Sequence, residues 1–94
     1  MSGSERRISV VAEDTPEAFL RLTGLLARRG FRFREMSLGR TMRPGLARYT
    51  LVLPGDAGTA EQAIRQLRKV VDVLHVEDVT GESFREQWVA LIRC

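Results

Sequence analysis

The residues that could do chemistry are few and scattered. The chain has one cysteine, Cys94, and one histidine, His75. Metal binding would need further ligands beside that histidine, and no second imidazole exists to supply one. A single cysteine cannot form an intramolecular disulfide, and a lone one far from any base is a poor nucleophile. Glu13, Asp14 and Glu17 gather at one turn, but helix capping and partner pairing explain acids at such a place without catalysis. Gly55-Asp56-Ala57-Gly58 lacks the lysine of a phosphate-cradling loop. No constellation of nucleophile, base and oxyanion donor emerges, so the chain is expected not to be an enzyme, and to hold no metal or cofactor.

Composition narrows the classes further. The 94 residues are 44% apolar and carry a net charge of +3, which fits one globular domain rather than a disordered tail. Fourteen of the fifteen basic residues are arginine, interleaved with twelve acids. That spread lacks the blocks of like charge that mark nucleic-acid arms. No apolar run is long enough to span a membrane, and Met1–Arg7 lacks a hydrophobic signal core. A cytoplasmic chain with no nucleic-acid or membrane partner is expected.

The elements that must position these residues can be read in order. Arg7–Glu13 alternates with a two-residue period, Ile8, Val10 and Ala12 on one face, and Val11 on the other marks a strand covered on both sides. Asp14 or Thr15 caps a helix with Pro16 in its first position, carrying Ala18, Phe19, Leu22, Leu25 and Leu26 and stopping at Gly30. A second strand is predicted to open at Phe31, with Phe31 and Phe33 on one side and Arg32 and Arg34 on the other. Met42-Arg43-Pro44-Gly45 turns the chain into a third strand, Leu46–Leu53. Thr59, supported by Gln62, is predicted to cap a second helix. Val70–Val79 reads as the fourth strand.

The order β-α-β-β-α-β predicts an α+β, ferredoxin-like fold: a four-stranded antiparallel sheet with two helices on one face. Residues 1–80 form this unit. Residues 81–94 form a short C-terminal extension, a connector or docking arm carrying Trp88-Val89-Ala90-Leu91-Ile92. RNA-recognition modules share the order, but Leu46–Leu53 lacks their Lys/Arg-Gly-aromatic signature. An acylphosphatase-like enzyme of this topology would want a basic anion loop after strand one, where the chain has Asp14-Thr15-Pro16-Glu17.

Four stretches carry a more specific likeness. They are Ile8–Pro16, Leu22–Phe31, Gln66–Val73, and Arg85-Glu86 followed by Ala90–Arg93. Together they resemble the ACT domain of the acetolactate synthase small regulatory subunit. The resemblance implies a homodimer joined edge to edge, a thiamine-dependent large catalytic subunit as partner, and feedback regulation of branched-chain amino acid synthesis. It also implies an effector site at the dimer interface, made by Asp14, Thr15, Pro16, Glu17, Ala18, Phe19 and Arg32. The family usually places asparagine at position 14, glycine at 17 and asparagine at 32. Glu17 would therefore repel an effector carboxylate; Arg32 offers either a bidentate clamp for a carboxylate ligand or an ion pair with Asp14 or Glu17 of the partner chain, and the ion pair is the favoured reading. Weakened binding of valine, the branched-chain effector, follows. The alternative reading is a free-standing amino-acid-binding ACT sensor.

Overall fold

The computed structural model describes residues 4–81, and the Trp88–Ile92 arm lies outside the described residues. The order is β1 (Glu5–Glu13), α1 (Pro16–Arg28), β2 (Glu35–Arg40), β3 (Leu46–Pro54), α2 (Ala57–Leu67) and β4 (Val73–Asp78). The four strands form one sheet in the order β2-β3-β1-β4, with every neighbouring pair antiparallel. The ferredoxin-like arrangement expected from the sequence is present.

Alternation along the central strands builds the core. Ile8, Val10 and Ala12 of β1 share a face with Ala47, Tyr49, Leu51 and Leu53 of β3. Leu22 and Leu26 of α1 and Ala60, Ala63 and Leu67 of α2 close over them. Burying aliphatic side chains of this size contributes about 1.5–3 kcal/mol each. The small residues of α2 let that helix approach the sheet closely. Val11, on the opposite face of a central strand, is 9% exposed, as the two-sided reading of β1 requires.

β1 opens two residues earlier than expected, at Glu5, and β3 and β4 end within one residue of expectation, but three boundaries differ by three residues or more. The second strand opens at Glu35, not Phe31. Phe31 and Phe33 do pack on the core, with Arg32 and Arg34 exposed, but only the Arg34 N–H still donates to Val52 O, at 2.7 Å. Beyond that point the partner strand ends at Pro54, which has no N–H to continue the ladder. The second helix begins at Ala57 because Asp56, not Thr59, is its cap; the Asp56 carboxylate accepts from Thr59 N at 3.1 Å. The fourth strand begins at Val73, because residues 67–73 turn: Val70 N donates to Leu67 O at 3.1 Å, and Val73 N to Val70 O at 3.0 Å.

Candidate functional site

The acidic turn after β1 is built by local hydrogen bonds. Asp14 N donates to Gly45 O at 2.9 Å, which ties the turn to the entry of β3. Thr15 sits in extended backbone, φ −134°, and its Oγ1 accepts from Ala18 N at 3.0 Å. Its carbonyl accepts from Phe19 N at 3.2 Å. Pro16 fills the first helical position and has no donor to leave over. The start of α1 thus satisfies most of its own N–H groups.

Below this turn, Ala18 is fully buried and Phe19 stacks on Tyr49, ring centroids 6.2 Å apart at 28°. Glu17 and Asp14 stay exposed. Burial holds the Tyr49 phenol above its ordinary pKa, and the charge of Asp14 adds to that. Six of the seven candidate residues, Asp14 to Phe19, therefore lie together at one end of the sheet, with Ala18 buried beneath the exposed acids.

Arg32 is elsewhere. It lines an open groove of about 820 Å³ with Arg29, Pro54, Thr59 and Gln62. Asp14 adjoins the first residues of β3 and Arg32 the last. Nine residues of β3 separate the two ends, about 26 Å at ~3.3 Å per step. Within one chain, Arg32 cannot pair with Asp14 or Glu17.

Two relationships were invisible in the sequence. Arg21 Nη1 donates to both carboxylate oxygens of Asp72, at 2.9 and 2.8 Å. The Asp72 side chain is only 7% exposed, and its carbonyl accepts from Glu13 N at 3.0 Å. This pair fastens the acidic turn to the α2–β4 connection. The hydrogen bond and charge of Asp72 raise the Arg21 pKa further. The second is a set of exposed apolar side chains, Leu20 at 65%, Met36 at 41% and Leu38 at 55%. Leu20 stands off the apolar stripe of its helix, a departure that could have flagged it. The exposure of Met36 and Leu38 depends on β2 being an edge strand, and only pairing shows that.

Chemically, the acidic turn offers carboxylates and little else. Among the described residues no cluster of His, Cys, Asp or Glu is set to hold a metal ion. No helix among them is long and apolar enough to cross a membrane. The arrangement suits ion pairing and ligand or partner contact at a sheet end.

Comparison with known proteins assigns the fold a family. Residues 8–75 match the model described as AHAS small subunit-like ACT domain. A probable acetolactate synthase small subunit of Archaeoglobus fulgidus is 40% identical over 86 residues, covering 92% of this chain and 54% of the relative. A second, from Methanothermobacter thermautotrophicus, is 39% identical, covering 92% and 51%. Among solved structures, the acetolactate synthase small subunit from Thermotoga maritima superposes with a TM-score of 0.78 at 30% identity, covering 84% of this chain and 49% of that one. The chain spans about half the length of these relatives. On its fold and the match across residues 8–75, the chain belongs to the AHAS small subunit-like ACT domain family.

Proposed function

We propose that this chain is a regulatory, non-catalytic subunit of acetolactate synthase, acting on a large catalytic subunit in the cytoplasm. The family match over residues 8–75 carries the reading. Residues 1–80 are the ACT unit, and 81–94 the connector. Catalysis and its cofactor chemistry belong to the large subunit, and this chain biases that subunit's conformation by binding it.

The subunit works as a homodimer joined through β2. Both outer strands, β2 and β4, present unpaired backbone groups. The β4 edge is irregular: its register against β1 shifts between Val11 and Ala12, and such a bulge hinders further pairing. β2 pairs with β3 over six consecutive residues without a break. Met36 and Leu38 give that edge an apolar side for a second copy to cover.

A two-fold axis normal to the sheet would set β2 against its copy in antiparallel fashion. The start of β2 in one protomer would then lie beside the end of β2 in its partner. That end carries the turn on which Asp14 is fastened. Arg32 would thereby reach the acidic turn of the other chain, and the seven candidate residues would form one crevice at the seam. The Arg32 guanidinium suits the exposed carboxylates of Asp14 and Glu17 across it. A branched-chain amino acid is the effector class for this crevice, and Glu17 weakens its hold on valine.

The deciding experiment measures the large subunit's rate with and without this chain, and with valine added. Stimulation that valine leaves largely unchanged is expected. An unchanged rate on adding the chain would reject the regulatory reading.

A further inference from the structure

We propose that the groove between the end of α1 and the start of α2 docks an extended acidic peptide of a partner protein. Arg29 and Arg32 grip it from one wall, and Gln62 and Gln66 from the other. The reading does not depend on the dimer. Arg32 also belongs to the crevice proposed at the seam, so Arg29, which does not, carries the test.

The walls are two helix ends. α1 stops at Arg28, and Gly30, at φ 84°, turns the chain away. The N–H groups of Gly30 and Phe31 donate to Ala27 O and Leu26 O, at 3.1 and 2.9 Å. Across the groove, α2 begins at Ala57 under its Asp56 cap. That carboxylate is the only acid in the lining among the described residues, and it accepts from Thr59 N at 3.1 Å. The capping groups of both walls are therefore already engaged.

The longer side chains between them are not. Among the described residues no hydrogen bond or ion pair engages the side chains of Arg29, Arg32, Gln62 or Gln66. By contrast, Arg6, Arg21 and Arg34 each hold an acid. The groove thus presents two guanidiniums without counter-ions beside two unused carboxamides. Its volume of about 820 Å³ suits an occupant larger than a single ion.

Spacing selects an extended peptide. Gln62 and Gln66 share one helix face a turn apart, a rise of ~6 Å. Alternate residues of an extended chain repeat at ~6.6 Å, with their side chains on the same side. Each carboxamide both donates and accepts, so it can meet a peptide N–H or C=O. Acidic side chains at alternate positions would face Arg29 and Arg32, whose planar guanidiniums take carboxylates through paired bonds. Phe31 and Pro54 complete the lining with apolar surface for the residues between. A small free anion would engage the arginines and leave the glutamine pair idle.

The test is a magnetic-resonance titration of the labelled full chain with a capped peptide alternating alanine and aspartate. It is run at physiological salt, where distant exposed charges are screened. The backbone signals of Gly30, Gly58 and Thr59 and the side-chain amide of Gln62 should move together, while Asp14–Phe19 stay unchanged. Arg29→Glu replaces attraction by repulsion and should weaken binding about tenfold or more. Gln62→Leu should weaken it several-fold. Arg65→Glu makes the same charge change on α2 outside the groove and should alter binding less than about twofold. All three positions are exposed, and circular dichroism verifies that each variant folds. Equal losses in Arg29→Glu and Arg65→Glu would reduce the interaction to net charge and overturn the proposal. So would the absence of any shift at Gln62, or succinate binding as tightly as the peptide with the same shifts, since the groove would then be a site for small anions.

Discussion

The Arg21 guanidinium and the Asp72 carboxylate meet across 51 residues of sequence, with one nitrogen bonded to both oxygens at 2.8 and 2.9 Å. The acid is nearly buried and the base is half exposed. Such asymmetry makes the two deletions unequal. Arg21→Ala leaves a buried charge without its counter-ion, whereas Asp72→Asn keeps a polar group that Arg21 can still reach. Arg21→Ala should therefore lower the thermal midpoint more than Asp72→Asn does. Equal midpoints in a melting series would show that the pair contributes little.

Acid should weaken the fold through two carboxylates. Asp56 lies below its ordinary value of 3.8 because the Thr59 backbone N–H bonds it. For Asp78 burial acts upward, but bonds from Thr80 and Arg6 outweigh it and the net shift is downward. A depressed folded pKa means a contribution present above 3.8 and lost as pH falls through the lower folded value. Stability measured by urea melts should fall below pH 3.8, and Asp56→Asn combined with Asp78→Asn should flatten that fall. The double variant is less stable than the parent at neutral pH.

Alkali should act through Tyr49, which is 1% exposed and held above its ordinary value of 10.0. Here the folded state keeps the proton longer than the unfolded chain. The contribution is complete below pH 10.0 and declines as pH rises through the folded value. Tyr49→Phe should remove that decline while keeping the ring stacked beneath Phe19. Phenolate absorbance of the native parent should rise only above the ordinary tyrosine range.

Packing and capping give sharper magnitudes. Leu51 is fully buried on the central strand β3, and Leu51→Ala should cost about 2–5 kcal/mol in denaturant unfolding. Thr15→Ala removes the acceptor for Ala18 N and should cost about 0.5–2 kcal/mol, with Thr15→Ser nearly neutral.

The β2 edge is open to direct test. Leu38→Lys places a charge in the middle of the strand proposed to meet its copy, where the residue is 55% exposed. Sedimentation should show a dimer for the parent and a monomer for the variant, with unchanged circular dichroism. Leu74→Lys, at the β4 register shift, should leave the dimer intact.

Much of this could be read from the sequence because its signals are local. Pro16 behind Thr15, the stripe through Leu22 and Leu26, and the alternation of Ile8, Val10 and Ala12 each act within one turn or strand. The failures lie where a distant partner decides. Phe31 begins an alternating stretch but not a strand, because Pro54 terminates its neighbour. Val70 is β-branched and apolar, yet the chain turns there so that Asp72 can reach Arg21 and Glu13. Thr59 with Gln62 has a capping pattern, but Asp56 offers a carboxylate three residues earlier. Of the residues expected at the site, Asp14 to Phe19 are contiguous in the chain, so their nearness to one another follows from the sequence itself. The position of Arg32 follows from α1 running back along the sheet before β2 begins, which separates it from them.

The register shift between β1 and β4 has one last consequence. A sheet with two regular borders could add copies at both and grow into a fibre. In the proposed dimer only the β2 border is used for extension, so joining is a terminating reaction. Straightening the bulge by deleting Leu74, rather than weakening any contact, is the change that would turn a finite particle into an open-ended polymer.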